Sequence, residues 1–344
     1  MRKKLPIGIQ TLQEIREGNY YYVDKSGFAL SLIDQGKYYF LSRPRRFGKS
    51  LFLDTLKELF EGNRQLFQGL AAHHQWDWSV TYPVISISFG GGVVRDRPDL
   101  EATLHQQLSY HEGRFALPAA FPDIRSRFHE LIRLVHAQTG RRVVILVDEY
   151  DKPILDRIEE PDAARQIREG LKDFYSVIKD DDAHVKFAFL TGVSKFSKVS
   201  IFSGLNNLED ITLDKQFSAI CGYTDQDVDA VFAPELEGLD RHEIRKWYNG
   251  YNWTGDAVYN PLDLLLLFRN RQFRPWWFET GTPTFLVNYL AEKGFFTPEL
   301  AGLRSSMTLL STFDVGHMTP EALLFQTGYL TIKQVEEPIR GQWV

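Results

Sequence analysis

Arg43-Pro44-Arg45-Arg46-Phe47-Gly48-Lys49-Ser50 decides the fold. It follows Tyr38-Tyr39-Phe40-Leu41, an apolar run that predicts a buried strand. It precedes residues 50–60, where Phe52, Leu53, Leu56, Leu59 and Phe60 share one helical face. A strand, a basic loop ending in Gly-Lys-Ser, then a helix is the context of a phosphate-binding P-loop. Backbone N–H groups of such a loop and helix N-terminus point at phosphate oxygens, and the helix dipole favours negative charge there. Arg43, Pro44, Arg45, Arg46, Phe47, Gly48, Lys49 and Ser50 are therefore candidate nucleotide contacts. Lys49 is expected to reach the β- and γ-phosphates, and Ser50 to ligate magnesium through its hydroxyl. Gly48 has no Cβ, so the backbone can approach a ligand closely. Arg43 departs from the usual pattern, standing where it has its first glycine. Arg43, Arg45, Arg46 and Lys49 together place four positive charges within seven residues.

The neighbouring segments build the frame. Pro83 to Phe89 predicts a second strand, ended by Gly90-Gly91-Gly92. Leu100, Leu104 and Leu108, then Ile124, Phe128 and Ile132, fall at helical spacing. Val143-Val144-Ile145-Leu146-Val147 predicts a central strand covered on both faces, and it runs straight into Asp148-Glu149. An apolar strand ending in two acids is the Walker B pattern of ATPases that activate water. Asp148 would hold the magnesium shell, while Glu149 would orient or deprotonate the attacking water. A single acid suffices for nucleotide binding; the second argues for hydrolysis. Asp151 is a spare acid, better placed as a helix cap than in the magnesium shell. Ala164, Ile167, Leu171, Phe174 and Ile178 predict an amphipathic helix. Val185 to Leu190 predicts a strand ending in Thr191-Gly192-Val193-Ser194-Lys195. Thr191 or Ser194 is the candidate sensor of the γ-phosphate, with Lys195 adding charge. Ile211-Thr212-Leu213 predicts a short last strand.

This alternation predicts an α/β P-loop NTPase core with a mainly parallel sheet over residues 1–221. After Gly222 helical signals dominate, beginning with the helix start at Thr224-Asp225, so residues 222–344 are expected to form a mostly helical C-terminal domain. The 344 residues include 25 Phe and 15 Tyr, enough for a sizeable core, and the net charge of −5 argues against a protein that coats nucleic acid by charge alone. One cysteine, Cys221, excludes an internal disulfide. No signal-peptide h-region follows the N-terminus, and the longest apolar run, 264–268, is too short for a membrane span. A soluble cytoplasmic protein is expected. Asn207-Leu208-Glu209-Asp210 lacks the lysine of a guanine-reading motif, which leaves ATP as the expected nucleotide. Two aromatic sets, Tyr20-Tyr21-Tyr22 and Trp247, Tyr248, Tyr251, Trp253, Trp276 and Trp277, are expected to pack cores rather than stack on bases. His73-His74 predicts a surface turn.

With these residues in place the chain resembles the bacterial and archaeal AAA-ATPase-like family, P-loop ATPases often joined to a C-terminal nuclease-like domain of the PD-(D/E)xK type. The resemblance rests on residues 5–9, 22–25, 43–50, 147–153, 190–196, 204–208, 247–251, 280–283 and 324–330, in order along nearly the whole chain. It implies that an Arg-Pro-Arg-Arg loop is the usual form in such proteins. The acid-acid-x-lysine cluster of the nuclease-like domain is not found in these residues, so nuclease activity is not expected of them. The resulting expectation is an ATP- and magnesium-dependent ATPase that drives or switches a partner, through self-association or with a nucleic acid or nuclease. The alternatives are an ATP-bound adaptor that does not hydrolyse, and a P-loop phosphotransferase.

Overall fold

A computed structural model describes residues 2–119, 121–195, 201–202, 205–276, 290–291, 303–304, 306 and 319–336. Phe196, Gly204, Trp277 and the 280–283 motif, singled out by the sequence, lie outside the described residues. Five strands, β1 (Tyr38–Ser42), β2 (Val84–Ser88), β3 (Val143–Asp148), β4 (Val185–Gly192) and β5 (Glu209–Asp210), form one parallel sheet in the order β2-β3-β4-β1-β5. The fold is thus the expected α/β P-loop type. The loop strand β1 and the acidic strand β3 flank β4, so the three strand ends that carry the candidate site residues lie side by side.

Parallel neighbours require crossover connections, and helices supply them. In chain order the helices are α1 (Leu12–Glu17), α2 (Ser26–Gln35), α3 (Lys49–Phe60), α4 (Ala72–Gln75), α5 (Arg97–Arg114), α6 (Ile124–Thr139), α7 (Lys152–Leu155) and α8 (Pro161–Asp180). Side chains alternate across β3: Val143, Ile145 and Val147 join the cluster under α5, α6 and α8, whereas Val144 and Leu146 join the one under α2 and α3. An unbroken aliphatic run is what a strand covered on both faces needs.

Beyond Gly222 come α9 (Asp225–Val231), α10 (Arg241–Tyr248), α11 (Pro261–Asn270) and α12 (Pro320–Gln326). Thr224 starts α9 with a reciprocal capping box to Asp227. The cluster around α9, α10 and α11 also takes Tyr21 and Val23, and α12 inserts Ala322, Leu323 and Leu324 beneath the sheet. Contacts therefore cross residue 222 in both directions. Two antiparallel bridges, Tyr223–Tyr259 and Tyr251–Val258, fold this segment back on itself.

Two local expectations change. The last strand lies at Glu209–Asp210, ahead of 211–213, because Asp210 Oδ1 accepts the Thr212 N–H and turns the chain. His73 and His74 lie on the short helix α4 rather than in a turn. Among the described residues no helix is long and apolar enough to cross a membrane.

Candidate functional site

The loop after β1 takes its shape from two left-handed residues, Arg46 at φ 67° and Gly48 at φ 91°. Gly48 is the N-cap of α3 and makes no side-chain cap, so its first N–H groups face the cavity without a local side-chain acceptor. Phe47, between those two, is buried and points backward. Its ring packs on Tyr251 at 4.7 Å and Trp253 at 5.2 Å, and its carbonyl accepts the Gly222 N–H at 3.2 Å.

The four loop charges divide into two pairs. Arg45 and Arg46 are exposed and line the cavity. Lys49 is buried, and its Nζ donates to the carbonyls of Arg43 at 2.9 Å and Pro44 at 3.0 Å. Burial pushes its pKa down, with Asp148 pulling the other way. Arg43 is fully buried and turned away from the cavity. Its guanidinium donates to the carbonyls of Ser42 and Thr212, both at 2.9 Å, and of Phe217 at 3.2 Å, and lies 4.1 Å from the Trp253 ring centroid. The side chain of Arg43 thus belongs to the packing behind the loop, because both of its terminal nitrogens are engaged there.

At the strand ends Asp148 is the hub. Its Oδ2 accepts the Ser50 hydroxyl at 2.5 Å and its Oδ1 accepts the Thr191 hydroxyl at 2.7 Å. The neighbouring strand β4 thereby orients the β3 acid toward the helix α3 serine. Glu149 follows at φ 55° and is half-buried. A Cβ added to Gly90 would lie 3.5 Å from its Oε2, so the carboxylate sits beside the loop after β2. Burial, then the charge of Asp148, raises the Glu149 pKa, while Lys49 lowers it. Among the described residues its carboxylate accepts no hydrogen bond.

Asp151 stands at the N-cap position of α7 as expected, but its side chain makes no cap bond there. Its buried carboxylate accepts the N–H groups of Val193 at 3.2 Å and Ser194 at 2.7 Å, and the Ser194 hydroxyl at 2.7 Å. This pairing holds the end of β4 and turns Ser194 toward Asp151, leaving Thr191 as the sensor candidate that touches the acidic hub. Lys195 pairs with Asp210 at 2.9 Å, so its charge goes to the β5 end.

A cavity of about 380 Å³ opens in front of the loop. Its polar lining includes Arg45, Arg46, Lys49, Ser50 and Glu149. Its apolar and aromatic lining includes Ile9, Tyr22, Val23, Tyr223, Leu262 and Leu265. Tyr21 and Tyr22 both line it, although Tyr21 also packs with α9, and the Tyr22 hydroxyl lies 3.2 Å from Thr55 Oγ1. These walls come from segments two hundred residues apart in sequence, so no local pattern announces them.

A family model described as a predicted AAA-ATPase matches residues 6–202. The chain is also 66% identical over 336 residues to an "uncharacterized protein in vnfD 5'region" of Azotobacter chroococcum mcd 1. That match covers 97% of this chain and 65% of the relative, so the chain spans just under two thirds of the relative's length.

Proposed function

Because the chain belongs to the predicted AAA-ATPase family, we propose that the cavity before the loop binds ATP with magnesium and hydrolyses it to ADP and phosphate. The observation that carries this reading is the convergence of Ser50 and Thr191 on Asp148, with the carboxylate of Glu149, unpaired among the described residues, beside it. Ser50 and Asp148 offer two hard oxygen donors at one point. A magnesium ion is commonly held by one or two protein oxygens together with phosphate and water, so this pair fits it. When bound, the ion neutralises charge on the β- and γ-phosphate oxygens.

The protein's own groups do the rest. The free N–H groups at the start of α3 receive phosphate oxygens, and Lys49 exchanges its loop carbonyls for the β/γ-phosphates. Glu149 takes a proton from water as the water oxygen bonds to the γ-phosphorus and the bond from that phosphorus to the ADP oxygen breaks. Burial and the neighbouring Asp148 charge raise its pKa, which makes it a stronger base than an ordinary carboxylate. Thr191 keeps Asp148 oriented, an outer-shell role. The apolar part of the lining, with Ile9, Tyr22, Val23 and Leu265, suits the faces of a purine base.

ATP turnover and calorimetric ATP binding, compared in wild type and Glu149→Gln with and without DNA or RNA, test the reading. Turnover lost with affinity kept supports it. Equal turnover in both proteins removes Glu149 from the chemistry. Consumption of ATP only with an added acceptor moves the protein to the phosphotransferases.

A further inference from the structure

Arg43 is the bulkiest fully buried side chain among the described residues, yet it forms no ion pair there. Its charge is met by backbone carbonyls and by the face of Trp253, and its Nε has no partner among the described residues. Burying a guanidinium without a carboxylate is costly, and a neutral side chain would fill the same space more cheaply. What the arginine provides is connection. It ties the loop to the end of β5 at Thr212, to the turn at Phe217 and to the loop carrying Trp253. Trp253 also packs edge-on against Phe47, the residue between the loop's two left-handed positions. The carbonyl of Arg43 is itself one of the two acceptors that hold Lys49. From the other side Gly328 presses on Pro44, whose carbonyl is the second acceptor; a Cβ at Gly328 would come within 2.8 Å of the Pro44 ring.

We infer that Arg43 and Trp253 form a clamp behind the phosphate loop, and that both are positioning residues which aim Lys49 at the nucleotide. The inference rests on the proposed ATP site. It also explains an arginine in the first-glycine position, since stiffness that glycine would not provide is imposed from behind, through an indole contributed by the segment after α10. Changes at the nucleotide then reach Trp253 through Phe47 and Arg43, so the indole reports occupancy of the cavity.

The test uses the full chain in four forms, namely wild type, Trp253→Phe, Trp253→Ala and Lys49→Met. ATP with magnesium is expected to change tryptophan emission in wild type and to leave emission unchanged in Trp253→Phe, which keeps an aromatic face over Arg43. Trp253→Ala is expected to raise KM for ATP about tenfold, the scale of a desolvated cation–π contact, with KM restored in the phenylalanine variant. If Trp253→Ala does not fold, the emission comparison between wild type and Trp253→Phe decides alone. An emission response that survives in Trp253→Phe, or wild-type KM and kcat in a folded Trp253→Ala, overturns the clamp. Lys49→Met separates the two claims. Normal ATP binding by that variant would overturn the nucleotide site itself, whereas lost binding beside an unaffected Trp253→Ala overturns only the clamp.

Discussion

Lys49 is 6% exposed and donates to two loop carbonyls, so it is a buried ammonium rather than a surface one. Its lowered pKa means that the fold disfavours the charge, and removing it relieves that burial cost while losing the two bonds. Lys49→Met, which keeps the volume, is therefore expected to melt close to wild type. It should lose at least about tenfold in ATP affinity, the scale of a hydrogen bond to a charged group. Calorimetry with thermal melting checks both halves. Glu149 adds a pH signature. A raised pKa means that the carboxylate takes up its proton at a higher pH than an ordinary glutamate. Turnover should then fall as pH drops, with its acid limb displaced above the usual carboxylate range; a limb at the ordinary glutamate position would assign it to another group. The identities of Lys49, Ser50, Asp148 and Glu149 were legible because P-loop chemistry fixes residue type and local spacing. The directions of Arg43 and Asp151 were not, since they depend on Trp253 and Ser194, partners distant in sequence.

The elements were legible where periodicity was long. β1, β3, α3 and α8 lie where apolar runs and helical spacing place them, whereas the two-residue β5 shifted, ended by a side chain of its own, and the His73-His74 turn is part of the short helix α4. At the start of α3, φ 91° at Gly48 lies in the region that L residues avoid, and a Cβ there would meet nothing within 4 Å. Gly48→Ala should thus cost about 1–2 kcal/mol through the backbone alone. The added methyl would also face the phosphate side, so ATP affinity should fall with stability; full affinity in the variant would place the phosphates elsewhere. Asp263, in the first turn of α11, makes a second case. The helix N-terminus favours an anion there. Burial wins: the group is 2% exposed, Oδ1 has no partner among the described residues, and its pKa is pushed from 3.8 up to about 7. The native state therefore holds a proton that the unfolded chain has released between those values. Stability falls as pH rises through that window and levels above it. In Asp263→Asn this loss should vanish, so its melting temperature should gain on wild type from pH 4 to 7 and then stay parallel. A constant difference across that range would mean that Asp263 titrates normally.

At the scale of the molecule, the question is whether one chain completes the site. Charge developing on the γ-phosphate is often met by an arginine from a neighbour, worth about 10³–10⁵ in rate. Arg45 and Arg46 line the cavity, and among the described residues neither forms an ion pair, so each is available to phosphate in cis. Arginines in cis support only slow turnover in related P-loop chemistry, about 10⁻² s⁻¹. Slow basal hydrolysis is therefore expected from the isolated chain, rising as copies associate. The measurement is specific activity against protein concentration, with mass followed by light scattering at each point. Arg45→Gln with Arg46→Gln should lower the basal rate while leaving the rise with concentration in place, because the two contributions come from different chains. Fast turnover by a monomer, flat across the range and lost in the double variant, would show that the loop's own arginines complete the site and that no neighbour is needed.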